Sequence, residues 1–485
     1  MRAVQTILRW PAGDRDARRL ALWTADEVAA ATGGTASGAF QAAGVEMDSR
    51  DVRAGDLFFA LKGESSDGHG YLGKAFANGA AAAVVERPIA QPHVLVADTS
   101  RALELLAAAA RNRASAQIVG VTGSVGKTGV KEAIFAALDR GSKGAAHRSV
   151  RSYNNHVGVP LSLSRMPSRS RFGVFEMGMN HAGEIAGLTA QVRPHVAVIT
   201  TIAPAHIENL GSEEAIADAK AEIFAGLEPG GTAVIPADSP HHARLRAAAE
   251  AKGARVLSFG RARDAEVRLL DAIPVANGGS LVTAAVEDRR LCYSVAEPGE
   301  HWVANSLAVM AAVHAAGGDL GAAGLALAEM GGLKGRGARL RIKAPGGHAL
   351  LIDESYNANP ASMRATLAQL GATPAARRIA VLGSMKELGD FAPGFHAQLA
   401  APLAEAQVDF AVLVGEEMLA LARELGKAAH NALGNPVAYA HCENPGEAIA
   451  ALEEFGLTGG DAVLVKGSNS VGLGRVVAHF AAREG

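Results

Sequence analysis

The chain has 485 residues, 49% of them hydrophobic and 20% charged, which is too long for one ordinary core and too apolar for a disordered polymer. Its formal net charge of -2 gives no electrostatic case for a nucleic-acid partner, and no apolar segment is long and charge-free enough for membrane insertion. Cys292 and Cys442 lie far apart and form no metal-ligand pattern, so unpaired thiols in a reducing cytoplasm are expected.

From the N-terminus, residues 1–21 carry Arg9, Arg15, Arg18 and Arg19 but no signal-peptide apolar block, and read as a polar extension. Short β-branched runs then alternate with Ala- and Leu-rich stretches, predicting an α/β protein of three blocks. The first, 22–115, holds a turn feeding a buried strand between Gly55 and Leu61 and ends in an Ala-rich helix from Arg101 to Arg113. The second, 116–337, opens with a strand, a glycine-containing loop and a helix over Lys131 to Leu138. Strands are expected at 172–176, 196–201 and 232–235, then a helix near 304–316 and a Gly-rich segment from Gly331 to Gly337. The third, 338–485, alternates strands at 349–353, 379–382, 410–414 and 462–465 with helices, the pattern of a doubly wound parallel sheet.

The loop Thr122-Gly123-Ser124-Val125-Gly126-Lys127-Thr128 has the layout of a P-loop-type phosphate site. Backbone N–H groups and a helix N-terminus surround anionic phosphates, Lys127 adds a point charge, and the Thr128 hydroxyl can ligate magnesium. Val121 stands where the longer motif has its first glycine, so only the shorter T-G-x-x-G-K-T is met. A structural turn is the bland alternative; the strand before and the helix after favour ATP binding. Glu176 should emerge at a strand's C-terminal end, where ligands of doubly wound sheets bind, and is placed to hold Mg2+. Alone it would read as a loop carboxylate. His206 also follows a strand and could approach the same edge. Lys220 lies in a helix, where a solvated face or a pairing with Glu222 or Asp218 is the ordinary expectation; as a carbamate it would carry negative charge and oxygen donors.

Together these motifs resemble the Mur ligases, ATP-dependent amide-bond ligases of peptidoglycan precursor synthesis. The resemblance rests on the 122–128 loop, Asn154-Asn155-His156-Val157-Gly158, Glu176-Met177-Gly178-Met179-Asn180-His181, Ala205-His206-Ile207-Glu208 and Ala219-Lys220-Ala221-Glu222-Ile223. In the third block, Asp353-Glu354-Ser355-Tyr356-Asn357-Ala358-Asn359-Pro360, the 382–389 segment and Lys466-Gly467-Ser468-Asn469 resemble the branch that adds D-alanyl-D-alanine. The match runs from about Leu22 to the C-terminus.

The resemblance implies a first domain holding the UDP end of the donor, a central ATPase and a Rossmann-like C-terminal domain. It implies UDP-N-acetylmuramoyl-tripeptide and D-alanyl-D-alanine as substrates, ATP and Mg2+ as cofactors, and a cytoplasmic monomer. Lys127 and the loop residues Gly123, Ser124, Val125 and Gly126 would hold the phosphates. Thr128 and Glu176 would bind one magnesium and His206 a second, supported by Lys220 if carbamylated. Asn305 would contact adenine, Arg336 the phosphates and Asp353 the ribose. Ser49, Arg50 and Lys62 resemble the UDP cradle, while Asn154, Asn155, Asn357 and Asn359 fall in motifs facing the acceptor.

Departures from the family pattern are Thr201, Pro236, Trp302 and Ser384; Trp302, near Asn305, is the one able to reshape the adenine pocket. His181, His301 and His396 are expected as packing or hydrogen-bonding residues. The rival functions are another ligase of the superfamily, folylpolyglutamate synthase-like, and a phosphate-loop switch without amide chemistry.

Overall fold

In the computed structural model the described residues are 21–63, 66–275, 278–427 and 437–482, so nearly all of the N-terminal extension lies outside them. Three separate large sheets follow one another along the chain. The first orders its strands Thr35–Ala36, His93–Leu95, Ala82–Val85, Asp56–Phe59 and Gly44–Glu46, all parallel except the Thr35–Ala36 edge. Gly55, at φ +86, turns the chain into Asp56–Phe59, where Leu57 and Phe59 enter one core and Phe58 the core on the opposite face. The closing helix spans Thr99–Arg113 and starts before Arg101 because Asp98 caps it, accepting from Arg101 N at 2.9 Å.

The middle sheet has nine strands. Gln117–Thr122 lies between Phe172–Glu176 and Val196–Ile199, and all three run parallel. Thr232–Pro236 and Arg255–Gly260 continue the sheet in parallel. A feature absent from the sequence reading extends it further: Val267–Pro274, Ser280–Val286 and Arg289–Val295 form an antiparallel meander. Ser280–Val286 alternates inward and outward residues, but its small Ala and Ser side chains make a faint period-2 signal.

The third sheet orders Ala338–Ala344, Gly347–Glu354, Ala462–Lys466, Arg378–Gly383, Phe410–Val414 and Ala438–Cys442. The four expected strands are parallel, and Ala438–Cys442 adds a fifth; Ala338–Ala344 is added antiparallel and delivers the chain from the middle sheet. Two arginines, Arg111 buried and Arg165 half-buried, join the first two layers. Arg111 donates through Nε to Val192 O at 2.9 Å and through Nη2 to Arg193 O at 2.8 Å, while Arg165 pairs with Glu46 at 2.5 Å. Among the described residues, no helix is long and apolar enough to cross a membrane.

Candidate active site

The strand ends at Thr122, Glu176 and Ile199 share one edge of the middle sheet, so the loops after them meet. Gly123 leaves its strand at φ +145, where a Cβ would stand 2.0 Å from Thr200 Oγ1; glycine permits that approach. The loop is tied to the next one. Ser124 N donates to Thr201 O at 2.7 Å, Ser124 Oγ to Ala203 O at 2.9 Å, and Thr200 Oγ1 to Val125 O at 2.5 Å. Gly126, at φ +88, opens the helix Lys127–Gly141, whose first N–H groups have no intrahelical acceptor.

Lys127 Nζ donates to Gly123 O at 2.7 Å. Burial holds its ammonium below the usual lysine range, with Arg336 adding to the effect and Glu176 and Glu387 opposing it. Thr128 Oγ1 donates to Glu176 Oε2 at 2.9 Å, and Asn154 Nδ2 donates to Glu176 Oε1 at 2.8 Å. Glu176 is 1% exposed, so these contacts fix a buried carboxylate. Lys131, overlooked in the sequence reading, is fully buried beneath it with Nζ 3.9 Å from Glu176 Oε2.

His206 has a left-handed backbone, φ +60, and its Nδ1 forms an ion pair with Glu387 Oε2 from the third layer. Contact with the imidazole lowers the Glu387 carboxyl below its usual range despite burial. Lys220 departs from the ordinary expectation for a helix lysine. It is 1% exposed, and its side chain makes no hydrogen bond or ion pair among the described residues. Asp218 instead pairs with Arg244 at 2.9 Å, and Glu222 accepts from Gly183 N and Ala186 N. Burial therefore pushes the Lys220 amine well below the normal lysine value, with Lys127 adding to the effect.

The linker and third layer close the other side. The Arg336 guanidinium lies 4.3 Å from the centre of the Tyr356 ring, and Tyr356 OH shares a 2.7 Å hydrogen bond with Ser152 Oγ. Lys466 Nζ donates to Asn357 O at 3.1 Å and to Glu354 Oε2 at 3.3 Å. Asn359 faces the cleft but also caps the helix Pro360–Ala372, accepting from Ser362 N at 2.9 Å. Two of the expected contact residues also hold the chain itself. Asp353 has its carboxylate committed to the chain itself, accepting from Gly335 N at 2.8 Å and from Ser355 Oγ at 2.6 Å. Asn155 is exposed and caps a local turn, accepting from Gly158 N at 2.9 Å.

Asn305 stands against the loop, 3.0 Å from where a Gly126 Cβ would be. Trp302 presses on the phosphate-loop helix: a Cβ at Gly129 would come within 2.9 Å of its ring. Lys127, Glu176, His206, Asn305, Trp302, Arg336, Tyr356 and Asn357 line one cleft of about 450 Å³. The expected UDP cradle is dispersed by comparison. Arg50 chelates Asp48 and lines a second cavity of about 440 Å³ with Arg53, Arg151 and Arg165; Lys62 pairs with Glu86 at 2.6 Å; Ser49 is buried.

A phosphate loop facing a linker and a third α/β layer across one cleft defines an ATP-dependent ligase. Residues 41–117 match the Mur ligase family, catalytic domain; 121–313 match the Mur ligase middle domain; 338–469 match the Mur ligase, glutamate ligase domain. UDP-N-acetylmuramoyl-tripeptide--D-alanyl-D-alanine ligase from Synechocystis sp. is 36% identical over 90% of this chain and 91% of its own length. The crystal structure of MurF from Acinetobacter baumannii aligns with a TM-score of 0.80 at 31% identity, over 95% of this chain and 99% of that one. MurF ligase from Thermotoga maritima in complex with ADP aligns at 0.71 and 26% identity, over 91% and 97%. The chain belongs to the Mur ligase family.

Proposed function

We propose that this chain uses ATP to join D-alanyl-D-alanine to the terminal carboxyl of UDP-N-acetylmuramoyl-tripeptide in peptidoglycan precursor synthesis. Relatives named for that reaction span nine-tenths of both chains, which supports it. The observation that carries the chemistry is the single cleft shared by the phosphate loop, Glu176, His206 and the Arg336 to Asn357 wall. The match also extends through the first layer, which neither a folylpolyglutamate synthase-like ligase nor a nucleotide switch accounts for.

Direct condensation of a carboxylate with an amine would expel a poor oxide leaving group. Transfer of the γ-phosphoryl group to the tripeptide carboxylate gives an acyl phosphate, whose leaving group is inorganic phosphate, and the dipeptide amine then captures the acyl carbon. Lys127 and the N–H groups from Gly123 to Thr128 hold the β- and γ-phosphates, where positioning and charge do most of the catalytic work. Arg336 reaches the phosphates from the linker, Asn305 meets the base, and Asn154, Asn357 and Asn359 border the acceptor side. Asp353 is assigned to the ribose while it also accepts from Gly335 N and Ser355 Oγ.

Magnesium, when bound, would neutralise the transferring phosphoryl group. Among the described residues no cluster of three or more His, Cys, Asp or Glu side chains could hold a metal unaided. That suits an ion completed by phosphate and water oxygens: Thr128 Oγ1 and Glu176 Oε2, 2.9 Å apart, supply two hard donors. His206 Nε2 is assigned to a second ion. Burial pushes the Lys220 amine well below the usual lysine value and so favours the uncharged form, which can add carbon dioxide and lose a proton to give a carbamate able to support that ion.

We assign residues 22–115 to the UDP end of the donor, with Ser49, Arg50 and Lys62 its contacts, 116–337 to ATP and 338–485 to closure over the acyl phosphate. We assign a monomeric state, and nucleotide substrates support a cytoplasmic setting. The test is phosphate release with each UDP-muramoyl peptide crossed against D-Ala-D-Ala, D-Ala and L-amino acids. Release confined to UDP-tripeptide with D-Ala-D-Ala is expected; turnover indifferent to the dipeptide would discard the reading.

A further inference from the structure

The loop from Ser384 to Gly389 is held rigidly on the third layer. Lys386 N donates to Ser468 Oγ at 3.0 Å, Met385 N donates to His396 Nε2 at 2.9 Å, and Lys386 pairs with Glu417. Its tip crosses to the middle layer. Glu387 O accepts from Glu208 N at 3.4 Å, and Gly389, at φ +51, packs so closely that a Cβ would stand 2.9 Å from Glu208 Cγ. The side chain that reaches furthest is Glu387, whose carboxylate meets His206 Nδ1.

Both partners have the left-handed backbone that non-glycine residues seldom adopt, φ +64 at Glu387 and φ +60 at His206. Such conformations cost of order 1–3 kcal/mol and persist where the surroundings enforce them. His206 Nδ1 is buried, and the Glu387 carboxylate is the polar group that meets it among the described residues. A histidine that ligates a metal through one nitrogen commonly has the other oriented by a carboxylate, which fixes the ring and raises its basicity. Here that carboxylate comes from a different layer of the molecule.

We propose that Glu387 is a positioning residue for His206: docking of the third layer brings this carboxylate onto Nδ1 and directs Nε2 at the second divalent cation beside the nucleotide. The inference rests on the assignment of His206 to a metal made above. Affinity for that ion is thereby coupled to closure, while the ion held by Thr128 and Glu176 is not.

The test measures Mn2+ binding by electron paramagnetic resonance to the full chain with a non-hydrolysable ATP analogue. Two sites are expected in the unmodified protein. Glu387→Ala should weaken one of them about 10- to 100-fold and leave the other unchanged, the range typical for losing an outer carboxylate partner. Glu387→Gln, whose amide oxygen can still accept from Nδ1–H, should recover part of that affinity. His206→Gln should remove the same site, and adding Glu387→Ala to it should have no further effect. Unchanged Mn2+ binding in folded Glu387→Ala overturns the proposal, as does equal weakening of both sites, which would mark a general docking contact. A single Mn2+ site in the unmodified protein also overturns it, yet leaves the ligase reading intact if the dipeptide is still joined.

Discussion

Lys220 is 1% exposed, and its side chain makes no hydrogen bond or ion pair among the described residues. Desolvation there disfavours the ammonium and pushes the amine well below the usual lysine value. Replacing it with Ala should abolish most ligation, and small carboxylic acids should restore part of it by occupying the space of a carbamate. No recovery in a protein with native circular dichroism would favour a packing role. For Lys127 the expectation is simpler: Lys127→Ala should lower the ligation rate about 100-fold or more, since one preorganised charge on a transition state is of that size. Undiminished ligation would remove the phosphate loop from the mechanism. Lys127 was legible because its motif places it beside glycines, whereas Lys220 stood out only through the resemblance of the 219–223 segment to the family. Lys131 and Glu387 were not legible, because nothing local distinguishes a lysine that will be buried under Glu176, or a glutamate that will cross to another layer.

At the scale of elements, the phosphate-loop helix and the helix Glu300–Ala315 are matched at one point, Gly129 against Trp302. A helix-interior glycine ordinarily gains about 1 kcal/mol on becoming alanine. Here the added methyl would meet a rigid indole at 2.9 Å, and overpacking of this kind typically costs about 1–3 kcal/mol. Gly129→Ala should therefore lower the melting temperature and raise KM for ATP, whereas the same change in a Trp302→Asn background should be neutral or stabilising. Thermal melts of the four proteins check the cycle. Trp302 thus stands out in the sequence, but its partner does not: a glycine after Gly-Lys-Thr gives no hint of a ring supplied by a helix far along the chain. Strands dense in aromatic and aliphatic residues, such as Phe172–Glu176 and Phe410–Val414, were placed to the residue. The meander from Val267 to Val295 escaped because its alternation is carried by small and polar side chains.

Across the whole molecule, the passage between the middle and third layers concentrates charge in little water. Glu297 is 7% exposed, and burial pushes its carboxyl up to about 7, with Glu354 adding and Arg339 opposing. A folded value above the unfolded one means the folded state holds the proton more tightly. The stability it contributes is complete below the ordinary value of 4.5 and disappears as pH rises through about 7. Glu297→Gln should flatten the pH dependence of the urea midpoint across that window; an unchanged slope would show that the carboxyl titrates normally. Layer order and the edge that carries the cleft were readable from alternating strands and helices. Which buried groups face each other across the layers was not, since that depends on docking rather than on neighbours in sequence.

The Asp353 contacts have a further consequence for this passage. Gly335 N donates to its side chain and Gly337 N to its backbone oxygen, so a segment with an exposed Lys334 is stapled down just after the bond a serine protease would select. Trypsin needs several residues to detach before it can cut, and each retained hydrogen bond suppresses that detachment. Digestion after Lys334 should be slow in the intact protein and about tenfold faster in Asp353→Ala, releasing the C-terminal fragment whole. Equal digestion rates would mean the tether was never held by this aspartate.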